Sequence, residues 1–264
     1  MTLTYGTEEV DAILFDLDDV LVPFQTPAAW QWAWKPQGPV LGDRRVKAAV
    51  RRALKVWDRR RWQGITGKAP PADLESLHEH LASTLAIVAG RSLPLPETEA
   101  VVRRFLRPAG EIERYDDVPR ALDRLRARNV KVAAITPLPA ESARWFLHRA
   151  GLPETLLVGS GDGPGPTVPD KGAFRAAAEG LGVPPGRVAF VGDLFWSDVR
   201  AAARAGLPSV LLDRRDAWPK VHAGRLTTLD DLETTLATGG SPSEGDGPEG
   251  EGDADPSPGH GQRI

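Results

Sequence analysis

Two acidic clusters in this sequence have the residue types and the spacing for chemistry on an electrophile. The first is Phe15-Asp16-Leu17-Asp18-Asp19-Val20-Leu21, directly after the largely apolar run Val10-Asp-Ala-Ile-Leu-Phe. In extended chain a period of two points Asp16 and Asp18 to the same side. Two neighbouring acids at a strand's carboxyl end can divide labour as nucleophile and proton carrier. The second cluster is Val191-Gly192-Asp193-Leu194-Phe195-Trp196-Ser197-Asp198. It too follows an apolar run, with Asp193 at the strand end and Asp198 at the start of the next helix. Four carboxylates converging on one sheet edge would repel strongly, and a hard divalent cation relieves that repulsion. Magnesium takes about six oxygen ligands, keeps some waters and bridges carboxylates to substrate phosphate. It also lets an anionic nucleophile approach an anionic phosphate.

The elements that must position these acids are legible as alternating strands and helices. Val10–Asp16, Val130–Thr136, Arg187–Gly192 and Pro208–Leu212 read as strands whose apolar runs suit burial on both faces, and Thr155–Val158 as a shorter one. Between them, Val118, Ala121, Leu122 and Leu125 share one helix face. Helices are expected over 139–150, closed by Gly151, over 171–181, and over 197–205, closed by Gly206. This alternation predicts an α/β fold with a Rossmann-like parallel sheet wrapped by helices. Such sheets bind ligands at the carboxyl ends of their strands. Residues 23–111 are too long for a plain crossover. Their stripes Val46-Val50-Ala53-Leu54-Trp57, Leu74-Leu77-Leu81-Leu85-Val88 and Val101-Val102-Phe105-Leu106 predict an inserted helical cap. The expected domains are a discontinuous core, 1–22 and 112–238, the cap at 23–111, and a disordered tail at 239–264. That tail is nearly all Gly, Pro, Ser, Asp and Glu.

Composition excludes several functions. Without cysteine there are no disulfides, thiolate zinc sites or thiol nucleophiles. The apolar fraction of 41% and charged fraction of 26% are ordinary for a globular protein. No run approaches the ~18 apolar residues that span a bilayer. Met1 to Val10 has no cationic head followed by an apolar stretch, so no secretory signal is visible and a cytoplasmic location is expected. The net charge of −3 comes from the tail, which carries six acids and one Arg; the rest is near neutral at +2. Neither balance suits a nucleic-acid protein.

Taken together, the motifs resemble those of the haloacid dehalogenase-like superfamily. Its first motif, an apolar strand followed by Asp-x-Asp-x-(Thr/Val), matches Asp16, Asp18 and Val20. The second, a Thr or Ser ending a strand, matches Thr136, and the fourth, Gly-Asp-x-x-x-x-Asp, matches Asp193 and Asp198. The resemblance covers roughly 10–213, with 23–111 matching a cap placed after the first motif. It implies that Asp16 is a nucleophile forming an aspartyl phosphate, and that Asp18 protonates the leaving oxygen and then activates water. Asp16, Asp193 and the Asp18 backbone carbonyl would ligate Mg2+, with Asp198 holding a metal-bound water. Thr136 and the backbone N–H groups after Asp16 would hold the phosphate. The third motif departs from the pattern, since Val168-Pro-Asp-Lys-Gly-Ala-Phe174 has Val at the usual Lys place. Lys171, three residues on, is the expected balancing cation at the phosphate.

The expected function is a magnesium-dependent phosphatase acting on a small phosphate monoester. A sugar-phosphate mutase-like phosphotransferase using the same aspartates is the first alternative, and a non-catalytic binding module the second. Asp18 argues against the dehalogenase branch, whose members lack an acid there. Taken alone, Asp198 reads as a helix cap and Asp16-x-Asp18 as a turn; together they read as a site. Trp30, Trp32, Trp34, Trp57 and Trp62 are expected to pack between cap helices, with a pocket wall as the alternative. Trp196 is a candidate substrate contact, or else packs its loop against the cap. Arg44, Arg45, Arg51, Arg52, Arg59, Arg60 and Arg61 read as a solvated helix face, or else as a patch that steers phosphate esters. His78-Glu79-His80 has the wrong spacing for zinc on a helix. Gly67-Lys68 lacks the following Ser or Thr of a nucleotide loop.

Overall fold

The computed structural model describes residues 2–24, 33–34, 42–69, 79–82, 84, 86, 94–106, 115–160 and 170–240. The expectations for Trp30, Trp32, Leu74, Leu77, His78, Leu85, Val88, Val168 and the tail from Ser241 onward lie outside them. A short antiparallel hairpin, β1 (Thr4–Tyr5) and β2 (Glu8–Glu9), leads into β3 (Ala12–Asp16). The further strands are β4 (Lys131–Ile135), β5 (Leu157–Gly159), β6 (Val188–Gly192), β7 (Ser209–Leu212) and β8 (Arg225–Leu226). They form one six-stranded sheet in the order β5-β4-β3-β6-β7-β8, and every pairing is parallel. The expected parallel sheet wrapped by helices is therefore what forms.

All five residues of β3 are buried, as its apolar run requires. Ile13 and Phe15 face one half of the core. Ala12 and Leu14 face the other, with Phe174 and Phe190. The flanking helices are α3 (Asp117–Ala127), α4 (Ala140–Arg149), α5 (Lys171–Gly180), α6 (Ala201–Ala205) and α7 (Leu232–Thr238), numbered after two earlier helices. Register sets the edge at which the acids emerge. Asp16 pairs with Ile135 and Phe15 with Val191, so the acids of β3 and β6 leave the sheet at the same level.

Between β3 and α3 lie α1 (Asp43–Ile65) and α2 (Leu95–Leu106), in the segment expected to form a cap. α1 runs well beyond the apolar stripe that foretold it. Val46, Val50, Ala53, Leu54 and Trp57 are buried, and the same face continues into Asp58 at 0% and Arg61 at 3% exposure. From α2, Phe105 meets Phe24 edge-on at 5.2 Å, and Phe24 also meets Phe146 of α4 at 5.5 Å. No helix among the described residues is long and apolar enough to cross a membrane.

The helix expected to begin at Ser197 begins earlier and in a different winding. Phe195–Arg200 forms a π-helix, and α6 continues from it to the left-handed Gly206. Side chains claim the N–H groups of its entry: Asp58 accepts from Trp196 and Ser197, and Asp198 accepts from Leu194.

Asp117 ties the first turn of α3 to the carboxyl-terminal part of the sheet. It accepts from Nη1 and Nη2 of Arg214 at 2.7 and 3.0 Å, from the Thr228 hydroxyl at 2.9 Å and from the Leu229 N–H at 2.8 Å. Burial pushes its carboxyl up, but Arg214, Leu229 and Thr228 outweigh burial and hold it below the usual range. A depressed folded value stabilises the fold above the unfolded value near 4, and the gain is lost as pH falls through the folded value. Asp117→Ala should cost about 1–3 kcal/mol at pH 7, roughly 3–10 °C in melting temperature. Thermal unfolding should show the gap from wild type closing below pH 4.

Candidate active site

Three elements converge on the acids. β3 ends in Asp16, and the turn that follows carries Asp18 and Asp19. β6 ends in Gly192-Asp193, and the π-helical turn brings back Asp198. One carboxylate oxygen from each of Asp16, Asp193 and Asp198 lies within 4.8 Å of the others. Asp16 and Asp198 are buried, and Asp193 is half-buried. Gly192 makes the convergence possible, because a Cβ there would sit 2.7 Å from Asp198 Cβ and from Phe190.

Asp18 stands beside this trio and is half-buried. Its Oδ2 accepts the Thr136 hydroxyl at 3.0 Å, while its Oδ1, shielded from solvent, makes no hydrogen bond among the described residues. Thr136 is fully buried at the end of β4, and its oxygen accepts the Leu138 N–H at 3.1 Å. Of the backbone N–H groups after Asp16, that of Leu17 donates to the Ile135 carbonyl and that of Asp19 to the Val22 carbonyl. Those two are engaged in the fold, which narrows the expected backbone phosphate cradle.

Asp19 takes a left-handed backbone with φ of 60°, a conformation Asp tolerates better than most residues. Its carboxylate accepts the Phe24 N–H at 3.0 Å and the Tyr115 hydroxyl at 3.4 Å, and it pairs with Arg215. Behind the cluster, the Trp218 indole N–H donates to the Asp193 carbonyl at 3.2 Å. These contacts fix the two loops that carry the acids.

The electrostatics follow from crowding. Burial, then the charges of Asp198, Asp18 and Asp193, hold the Asp16 carboxyl well above the ordinary range. Burial and then Asp19 push Asp18 to about 8. Asp193 and Asp198 are raised too, by burial first. The opposing charge acting on Asp16, Asp18 and Asp198 is Arg61. A small divalent cation fits this donor set, which is all oxygen, short of positive charge and partly unpartnered. Opposite ligands of an octahedral magnesium, at about 2.0–2.1 Å each, stand about 4 Å apart.

Residues of α1 share a pocket with the acids. Asp16, Asp18, Asp193, Trp57, Arg61 and His80 line one pocket with Phe24 and Leu54. Trp57 stacks on His80 with ring centroids 4.8 Å apart, so this cap tryptophan is a pocket wall as well as packing. The His80 imidazole is pushed down to about 3 by burial, then by Arg61 and Arg60. Trp196, named as a candidate substrate contact or a packing residue, lies with its ring 5.6 Å from that of Trp62 on α1. Arg44, Arg51, Arg52, Arg59 and Arg60 are exposed, as a solvated face predicts, but Arg61 is not. It pairs with Asp198 at 3.2 Å. Lys171, the expected cation, is exposed at the first position of α5 and is not among the pocket residues. Sequence reasoning missed Asp58 and named Arg61 only as part of a basic stretch, although both are in phase with the α1 stripe, at i+1 and i+4 from Trp57.

The sequence profile of the family described as haloacid dehalogenase-like hydrolase matches residues 10–206. No curated protein matches. Among solved structures, a predicted phosphoglycolate phosphatase from Haemophilus somnus 129PT is similar, with TM-score 0.59 and 18% identity over 87% of this chain and 99% of its own. The hydrolase YfnB from Bacillus subtilis, bound to magnesium, gives TM-score 0.62 and 18% identity over 86% and 98%. The defluorinating L-2-haloacid dehalogenase Rha0230 gives 0.62 and 20% over 89% and 98%. At these identities the likeness is one of fold.

Two predictions follow from the crowding. Gly192→Ala forces Asp198 or Phe190 to move and should cost about 1–3 kcal/mol in thermal unfolding. Gly180→Ala, with nothing within 4 Å of the new Cβ, should be neutral or slightly stabilising. Secondly, the raised acids hold protons that the unfolded chain releases near pH 4. Metal-free protein should therefore lose stability as pH rises from about 4 towards 8. Melting temperatures in chelator should be lower at pH 8 than at pH 5.5, and Asp16→Asn should flatten that slope.

Proposed function

Since the chain belongs to the haloacid dehalogenase-like hydrolases, we propose that it is a magnesium-dependent phosphatase that hydrolyses a small phosphate monoester through an aspartyl phosphate on Asp16. A carboxylate oxygen of Asp16 attacks phosphorus as the ester oxygen leaves. Asp18 gives that oxygen a proton. As a carboxylate, Asp18 then takes a proton from the water that hydrolyses the aspartyl phosphate, which restores Asp16 and releases inorganic phosphate. Thr136, which donates its hydroxyl to Asp18, would also hydrogen-bond the phosphate. Asp16, Asp18, Asp193 and Asp198 would hold the cation. Bound there, magnesium offsets the negative charge of nucleophile and phosphate.

The observation that carries this reading is Asp18. Thr136 fixes one of its oxygens, and the other, in the pocket it shares with Asp16, makes no hydrogen bond among the described residues. An alkoxide leaving group needs a proton donor there. A halide does not, so an acid so placed favours phosphate esters over haloacids. The magnesium in YfnB and the phosphatase description of the Haemophilus somnus protein agree with the same choice.

A panel of phosphate monoesters and L-2-haloacids, assayed with magnesium, separates the two chemistries. Wild type should release inorganic phosphate and no halide, and chelator should abolish turnover. Asp16→Asn should lose about a thousandfold or more in kcat. Halide release without phosphate release, or equal rates in the two proteins, would overturn the reading.

A further inference from the structure

α1 delivers a buried cation to the acids from outside the sheet. Arg61 is 3% exposed, and its Nη1 donates to Asp198 Oδ1 at 3.2 Å. Its Nη2 is shielded from solvent and makes no hydrogen bond among the described residues. A guanidinium so buried with one amino group unspent is costly, unless that group has a partner in the working protein. Arg61 lines the same pocket as Asp16 and Asp18. Its guanidinium lies 5.7 Å from the centre of the Trp57 ring, which limits its swing.

One turn earlier on the same helix, Asp58 is fully buried and accepts the N–H groups of Trp196 at 2.9 Å and Ser197 at 2.6 Å. The helix is thus pinned to the loop that carries Asp198, and Arg61 is set at a fixed distance from the nucleophile. Meanwhile the third-motif stretch supplies no buried cation, since Lys171 is exposed.

We propose that Arg61 is a phosphate-binding residue delivered by the cap, its free Nη2 donating to a non-bridging oxygen of the transferring phosphoryl group, with Asp58 as the residue that positions it. This assignment rests on the phosphatase reading above. The pair with Asp198 holds the guanidinium in place, while the planar fork leaves its second amino group directed at the oxyanion. Docking of α1 then completes the site, so a substrate is bound by groups from both core and cap.

The test measures inorganic phosphate binding to magnesium-loaded, full-length protein by titration calorimetry, alongside magnesium binding by itself. Arg61→Gln should weaken phosphate binding at least tenfold and leave magnesium binding equal or tighter, because a competing positive charge is gone. Arg61→Lys should recover part of the loss and checks that the site is intact. Arg60→Gln, one residue away and exposed, should stay within twofold of wild type. If Arg61 only props Asp198, Arg61→Gln would weaken magnesium and leave phosphate affinity unchanged at saturating magnesium; that result overturns the proposal. So does a loss confined to Lys171→Gln. Wild type that hydrolyses esters while Arg61→Gln binds phosphate normally removes this assignment alone. Wild type that neither binds phosphate nor hydrolyses any ester removes the phosphatase reading, and this one with it.

Discussion

Buried like charges govern this molecule. Asp16, Asp193 and Asp198 bring oxygens within 4.8 Å of one another, with Asp18 beside them. An uncompensated cluster of that kind resists folding, since every ionised carboxylate there forgoes water and meets its neighbours' repulsion. Much of the surrounding structure relieves that cost or holds the acids against it. Gly192 yields the space that Asp198 occupies, Trp218 holds the Asp193 backbone, and Thr136 ties down one oxygen of Asp18. Arg61 brings the opposing charge from the cap. A metal ion of small radius would complete the same compensation.

α1 is therefore part of the electrostatics of the acids as well as of the packing. Asp58 and Arg61 carry opposite charges within one turn of α1, and they engage neighbouring points on the π-helical turn: the N–H groups of Trp196 and Ser197, and the carboxylate of Asp198. The burial of Asp58 pushes its own carboxyl up to about 7, despite two accepted N–H groups. Its presence there reflects the need to close the entry of that turn, whose donors have no partners within the helix.

Much of the core was legible in the sequence because its signals are local. The apolar run into Asp16 can only be a covered strand, and a Gly-Asp pair after a second such run marks a second strand end at the same edge. The sheet's register then does what the linear pattern cannot state, setting Asp16 level with Ile135 and Phe15 with Val191. Arg61 escaped because it sits among other arginines that do face solvent. Its membership of the buried stripe shows only when the period is carried past Trp57, and polar residues seldom invite that extension. The early start of the Phe195–Arg200 turn was hidden for a related reason. Its entry is capped by Asp58, more than a hundred residues away in the chain, and no local propensity encodes that contact. Lys171 shows the opposite case, a suitable residue type in a suitable motif whose exposure at the start of its helix the linear pattern did not state.

α1 runs unbroken from Asp43 to Ile65, with core packing in its first half and charged contacts in its second. A helix turns by about 100° per residue, so the chain between Val46 and Arg61 behaves as a ruler with angular as well as linear divisions. Swapping side chains on its outer face leaves the ruler intact. Adding or removing a single residue within it would rotate every later side chain out of phase. The guanidinium would then leave the acids even though each amino acid needed for chemistry was still encoded. In this segment, length is under tighter physical constraint than composition.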